Sequence, residues 1–424
     1  MNTKILLAKF SSALQWNSFF YVIYKVFSVA LSFTLYGTLS TSMFSAWALL
    51  QSIVFLILLW LDCGFRKSIP RYCPEFAQHK HTHKTFIALV LSIQSIVLLL
   101  ALPILWFVLP TFIAHKNFIP YALVMFAIGG ISELFKSIYH AHFWQKQFNL
   151  LQTVCTLTEM ICNFWYIFYV APSVTNTQLV MFLFTTKIAA SFGIIAGSLA
   201  LLPQLFKSTK YLEKTTGTKT SALVKPFLEH SIMMWATTSI KSLSERNFLF
   251  PFLTNAFGPA LANLFKVVHD GALFFQRIAI RILGSADTAL LSYALVLNNT
   301  QTTYQQALIR LFRTIIAMIV PLACLSIGAF FFKSYALINN NMLLLFFVVA
   351  FGYMFEVLLS PYERVLEVKR RYRLLWVSYA PYVVGLTLLL VWPLSVSLVQ
   401  WVFLVHTLRL IGSLLMAYFA SKLS

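Results

Sequence analysis

Five ionisable side chains interrupt apolar runs of this sequence, and that is where chemistry is available: Lys25, Lys241, Lys266, His269 and Asp270. An ammonium inside an apolar segment is a place for an anion, and a carboxylate there is a place for Na+ or H+. Lys266 and Asp270 stand four residues apart, so on a helix they share a face. They can neutralise each other, or divide the work between an anionic ligand and a coupling cation. Glu229, next to His230, is a second candidate for ion coupling. Glu133 with Lys136, Glu159, Lys187 and Glu356 read as structural pairs or interface residues. An ionised residue at the centre of a membrane span costs at least ~2.5–3.5 kcal/mol, so three lysines facing lipid would together cost roughly 8–10 kcal/mol. The low-energy arrangements are a watery cavity, an anionic ligand or a carboxylate partner.

The elements that carry these residues follow from composition. Of 424 residues, 59% are hydrophobic and 10% charged, and the mean hydropathy is +0.79. Soluble domains carry roughly 25% charged and about 45–50% apolar residues. So few charges leave no way to cover a water-facing surface, which excludes a soluble enzyme, a secreted domain and a disordered chain. The fold class is an all-α polytopic membrane protein. Counting runs of about 20 apolar residues gives roughly a dozen spans. They are expected over 16–36, 44–61, 86–112, 118–139, 149–170 and 178–202, then 226–244, 256–283, 307–332, 342–360, 374–391 and 396–420. Residues 2–13 fit a short interfacial helix, and 289–297 are apolar but too short to span. The first apolar run contains Lys25 and no small-residue cleavage site, unlike a signal peptide.

The formal net charge is +20, which raises the question of a nucleic-acid partner. The location of the charge answers it. With both termini in the cytoplasm, nineteen lysines and arginines fall in inner loops, against Lys116, Arg246 and Lys333 outside. That is the positive-inside bias of a multi-pass protein of the cell (inner) membrane, and it leaves no need for nucleic acid. Residues 206–225 form the longest polar interruption, with five lysines and Gly217. They divide the chain into an N-terminal six-helix lobe over 1–206, a basic cytoplasmic linker over 207–225 and a C-terminal six-helix lobe over 226–424. Leu39-Ser40-Thr41, Phe44 and Ala46-Trp47-Ala48 are echoed by Leu253-Thr254-Asn255, Phe257 and Ala260-Leu261-Ala262. Transporters are often built from such repeats. Arg364, Lys369, Arg370, Arg371 and Arg373 form a basic cluster suited to anchoring on lipid headgroups.

Other chemistries find no support. Cys63, Cys73, Cys155, Cys162 and Cys324 are scattered, without a CxxC pair or a zinc-type Cys/His spacing. His79, His81 and His83, interleaved with Lys80 and Lys84, look like a metal tract, but their alternating spacing in a polar cytoplasmic stretch reads as a solvated loop. There is no GxxxxGK[ST] for ATP hydrolysis, no GxSxG and no HExxH. The expectation is a protein that is no enzyme and needs neither cofactor nor metal.

Leu61-Asp62-Cys63-Gly64-Phe65 followed by Arg66, Lys67, Arg71-Tyr72 and Pro74-Glu75 resembles the LDxGL…RY.PE stretch of polysaccharide and O-antigen flippases (Wzx-like). Those belong to the multidrug/oligosaccharidyl-lipid/polysaccharide exporter superfamily. Leu39-Ser40-Thr41-Ser42-Met43-Phe44-Ser45-Ala46-Trp47-Ala48 is similar to that family's LGxxxFGxWA turn and departs from it at Ser45, where glycine is usual. The resemblance implies a MATE-like fold, with two six-helix lobes around a central cavity bordered by the first, second, seventh and eighth helices. Lys25, Lys241 and Lys266 fall on three of those four. It also implies a lipid-linked oligosaccharide as substrate, with cavity lysines on its diphosphate, Asp270 or Glu229 exchanging Na+ or H+, and Arg66, Lys67 and Arg71 near lipid headgroups. A cation-coupled multidrug antiporter of the same fold and a lipid-II-type flippase are the alternatives.

Overall fold

The computed structural model describes residues 3–76, 80–113, 115–142, 144–208, 220–243, 246–284, 340–391 and 396–422. Among these every regular element is helical. The helices are α1 (Thr3–Thr38), α2 (Thr41–Trp60), α3 (Phe65–Phe76), α4 (Lys80–Phe112), α5 (Ile119–Ala141), α6 (Gln145–Trp165) and α7 (Asn176–Ser208). There follow α8 (Thr220–Ser242), α9 (Arg246–Gly284), α10 (Asn340–Val368), α11 (Tyr372–Val391) and α12 (Leu398–Ser421). The span expected over 307–332 and the apolar stretch 289–297 lie outside the described residues.

Eight stretches of the described chain are long and apolar enough to cross a membrane, and Val22–Thr38 and Leu343–Glu356 are shorter apolar helices. The outward faces fit that reading. Leu99, Leu100 and Phe107 on α4 are 66%, 67% and 78% exposed, where lipid and not water is the compatible neighbour. Helix starts are set by local capping. The Ser40 hydroxyl accepts from the Met43 N–H at the head of α2, and Ser397 and Gln400 form a reciprocal capping box at the head of α12.

The chain forms two compact units, Met1–Ser242 and Leu243–Ser424. In the first, α5 packs on α3, α4 and α7, α6 packs on α1 and α7, and α8 lies against α3 and α2. Its aromatic core gathers Phe65, Tyr72, Phe76, Phe86, Phe135, Tyr139, Phe148 and Phe227. In the second, α10 packs on α9 and α12, and α11 packs on α12.

Three local expectations change. The segment expected as a separate interfacial helix over 2–13 runs unbroken into the first span as α1. The basic stretch after the second span is a helix, α3, because Phe65, Ile69, Tyr72, Cys73 and Phe76 recur at helical spacing and are all buried. The His81–Lys84 tract, expected as a solvated loop, is the first turn of α4. There His83 shares the buried face of Phe86, Ile87 and Val90 while His81 and Lys84 remain exposed. His79 lies outside the described residues. Within α9, Gly258 leaves the helix at φ +80, and Pro259 restarts it. A left-handed glycine followed by a helix-starting proline makes the break between 246–257 and 259–284 a property of the sequence.

Candidate functional site

In the second unit, α9 carries Lys266 and Asp270 on one face, as their spacing requires. Lys266 Nζ donates to Asp270 Oδ2 at 2.9 Å. The lysine side chain is 2% exposed and the carboxylate 13% exposed. Asn263, one turn earlier on the same helix, is buried too. His269, on the adjacent position, reaches α10, where its Nε2 shares a hydrogen bond with the Tyr353 hydroxyl. Tyr353 stands edge-on to His406 of α12, and the Arg409 guanidinium lies over the Tyr353 ring, 5.2 Å from its centre. Arg409 also pairs with Glu356. His269, Tyr353, Trp401, His406 and Arg409 line a cavity of about 10 Å3, room for about one water. Among the described residues, the interior of this unit is therefore polar where these three helices meet, and it holds two ion pairs, Lys266–Asp270 and Arg409–Glu356.

Arg409 and Glu356 do not figure among the site residues expected from sequence, although the signal was there. Arg409 interrupts the apolar run of the last span in the same way that Lys266 interrupts the eighth. An intramembrane arginine carries the same presumption of function or partnership as an intramembrane lysine.

The remaining expected residues are in the first unit. Lys25 belongs to α1, and its side chain lies outside the described residues. Lys241 is in the last turn of α8 and half-buried, while Glu229, three turns earlier, is exposed. Arg66, Lys67 and Arg71 are half-buried on α3. Arg66 reaches Asp62 at 3.4 Å and Glu133 at 3.8 Å, and Glu133 holds Lys136 at 3.2 Å. The Arg71 guanidinium lies 5.3 Å from the centre of the Tyr72 ring.

The turn Asp62-Cys63-Gly64 that leads into α3 is fixed by backbone geometry. Cys63 and Gly64 both take left-handed dihedrals, φ 53 and 73. The Gly64 N–H donates to Asp62 Oδ1 at 2.7 Å. Burial pushes the Asp62 carboxyl up from the usual carboxylate range, while Arg66 and the Gly64 N–H pull it down. A Cβ at Gly64 would stand 2.1 Å from the Ser231 carbonyl oxygen of α8 and 2.7 Å from the Trp235 nitrogen. The missing side chain is what lets α8 lie on the turn. Trp235 Nε1 donates to the Trp60 carbonyl, Trp60 Nε1 donates to Ser242 Oγ at 2.8 Å, and the Tyr72 hydroxyl donates to the Pro226 carbonyl at 3.1 Å.

No family model and no curated protein matches this sequence. Solved structures do match in shape. One is the outward-facing conformation of a multidrug resistance MATE family transporter of the MOP superfamily. It has a TM-score of 0.65 and 13% identity over 97% of this chain and 95% of that one. A MOP superfamily transporter from Pyrococcus furiosus gives a TM-score of 0.64 and 12% identity over 97% and 95%. It is described by a binding pocket of reversed polarity that suggests a different function. A eukaryotic MATE transporter gives a TM-score of 0.60 and 14% identity over 99% and 95%. At these identities the match shows the fold: this is a polytopic membrane protein with the MATE architecture.

Proposed function

We propose that this protein is a flippase that carries a polyprenyl-diphosphate-linked oligosaccharide across the cell membrane by alternating access, with Lys266 as a contact for the diphosphate. The observation that carries this reading is the Lys266–Asp270 pair on α9, a lysine 2% exposed held by a carboxylate one helical turn away. A buried ion pair adds little stability over apolar residues of the same size, so stability alone is a poor reason for it. Ionisable groups within spans are first read as functional. The fold is one that solved transporters use, including one described by a binding pocket of reversed polarity.

The pair suggests how substrate binding and ion binding are coupled. At rest, Asp270 neutralises Lys266. An arriving diphosphate presents more negative charge and competes for the ammonium. Asp270, released from Lys266, then favours taking up H+ or Na+, because an unpaired carboxylate in an apolar interior is costly. Return of the carrier restores the pair and expels the ion. Lys25, Lys241 and Glu229 are the further candidates on the carrier's first unit, for the diphosphate and for the ion respectively. Lys67 and Arg71 on α3 suit anionic headgroups at the membrane surface, at about 1 kcal/mol each, while Arg66 is held by Asp62 and Glu133.

A second reading is a cation-coupled multidrug antiporter of the same fold. It is favoured by the carboxylate being the more exposed member of the pair, 13% against 2%. Transport by the purified protein in sealed vesicles separates the two. Under the flippase reading, Asp270→Asn abolishes the dependence of lipid-linked oligosaccharide translocation on a Na+ or H+ gradient, and Lys266→Ala abolishes translocation itself. Gradient-driven efflux of a cationic dye, lost in Asp270→Asn and retained in Lys266→Ala, with no oligosaccharide movement in the wild type, establishes the antiporter instead.

A further inference from the structure

We propose that Cys73, His83 and His142 form a zinc-type metal site that clamps α3 to the start of α4 and the end of α5. This rests on a different part of the molecule from the transport reading and is independent of it. The three residues come from three elements and converge on one point. His142 Nε2 and His83 Nε2 are 2.8 Å apart, and Cys73 Sγ lies 3.4 Å from His142 Nε2 and 4.0 Å from His83 Nε2. All three ligand atoms lie within 4.8 Å of one another. Zinc bonds of about 2.3 Å to sulfur and 2.0–2.1 Å to nitrogen place tetrahedral ligand atoms about 3.3–3.6 Å apart. The observed triangle brackets that range, and side-chain shifts of about half an ångström regularise it.

The surroundings fit as well as the distances. His142 Nδ1 is 2.8 Å from the Ile138 carbonyl, an acceptor, so that nitrogen carries the ring proton and Nε2 presents its lone pair inward. A ligating histidine is commonly oriented by such a contact. Cys73 and His83 are fully buried among Phe76, Phe86 and other apolar side chains, while His142 is half-buried. One thiolate and two imidazoles suit a borderline-soft divalent ion, with a fourth position left for water. The sequence showed His83 only as part of the tract with His79 and His81, and its partners were not legible because they stand 10 and 59 positions away from it.

The test is metal content of the full-length protein, purified in detergent through a histidine-free tag, loaded with Zn2+ and then dialysed against metal-free buffer. The wild type is expected to retain a single zinc per chain. Cys73→Ser, His83→Gln and His142→Gln should each weaken retention by more than the ~10–100-fold that follows loss of a mere orienting contact. Loaded with Co2+ instead, the wild type should show a thiolate-to-cobalt charge-transfer band that Cys73→Ser lacks. Folded wild-type protein that keeps no zinc overturns the proposal, and it does so whether or not the variants fold. So does a cobalt spectrum without the thiolate band, or zinc retained in all three variants.

Discussion

The Asp62–Gly64 turn and the interior of α9, α10 and α12 both bury polar groups, and they do so with different partners. Around the Asp62–Gly64 turn of the first unit, the bonds run mostly from side chain to backbone, with Trp60 on Ser242 Oγ and Arg66 on Asp62 as the exceptions. Asp62 accepts from the Gly64 N–H, Gln94 donates to the Leu61 carbonyl, Tyr72 to the Pro226 carbonyl and Trp235 to the Trp60 carbonyl. In the second unit, around α9, α10 and α12, they run from side chain to side chain: Lys266 with Asp270, His269 with Tyr353, Arg409 with Glu356. A bond to backbone is lost only when the chain moves. A bond between two side chains is lost when either finds a better partner, including a ligand or a proton. The first region is thus suited to holding shape and the second to exchange. Surface pairs such as Arg66 with Glu133 cross that division, but those are partly solvated and weakly coupled to either role.

The sharpest way to break the contrast is through the two left-handed glycines, one in each region. At Gly64 a Cβ meets α8 backbone at 2.1 Å, whereas at Gly258 nothing lies within 4 Å. Both substitutions to alanine incur a positive-φ penalty, ~1–2 kcal/mol at Gly64 and ~1–3 kcal/mol at Gly258, whose ψ of 164 lies in a region essentially reserved for glycine. Gly64→Ala adds an overpacking cost of ~1–3 kcal/mol against backbone that has no side chain to rotate away. Thermal unfolding in detergent, followed by size-exclusion homogeneity, should show Gly64→Ala much the worse of the two. Equal losses would mean that α8 does not rest on the turn.

Arg409→Met should cost about 3–5 kcal/mol, because it removes the cation paired with the largely buried Glu356. The double replacement Arg409→Met with Glu356→Leu should recover most of that loss, since the pair as a whole contributes little. A double mutant as unstable as the single one would make this pair scaffolding of the same kind as the turn. The smallest effect is expected from Tyr72→Phe, which removes one hydrogen bond to the Pro226 carbonyl and should cost about 0.5–1.5 kcal/mol with transport unchanged.

The same contrast explains what the sequence disclosed. The membrane class followed from counting charges, and the Lys266–Asp270 pair followed from a four-residue spacing, because both depend on properties local to one helix. The helical nature of α3 was also written in the recurrence of Phe65, Ile69, Tyr72, Cys73 and Phe76, with Arg66, Lys67 and Arg71 interleaved among them. What could not be read is what needs the folded chain: Ser231 over Gly64, His269 on Tyr353, Arg409 on Glu356, and His142 between Cys73 and His83. Each joins positions far apart whose spacing encodes nothing.

The central claim is that Lys266 exchanges Asp270 for a substrate diphosphate, and equilibrium binding tests it most directly. Purified wild type, Lys266→Ala, Lys266→Arg and Asp270→Asn, each confirmed folded and monodisperse, should be titrated with a polyprenyl diphosphate. A charge-assisted contact is worth about 1.5–3 kcal/mol. Lys266→Ala should therefore bind roughly ten- to a hundredfold more weakly. Lys266→Arg should keep part of the affinity, and Asp270→Asn, with its competitor for the ammonium removed, should bind more tightly than the wild type. Undiminished affinity in a folded Lys266→Ala protein would contradict the claim and leave the pair as a structural one.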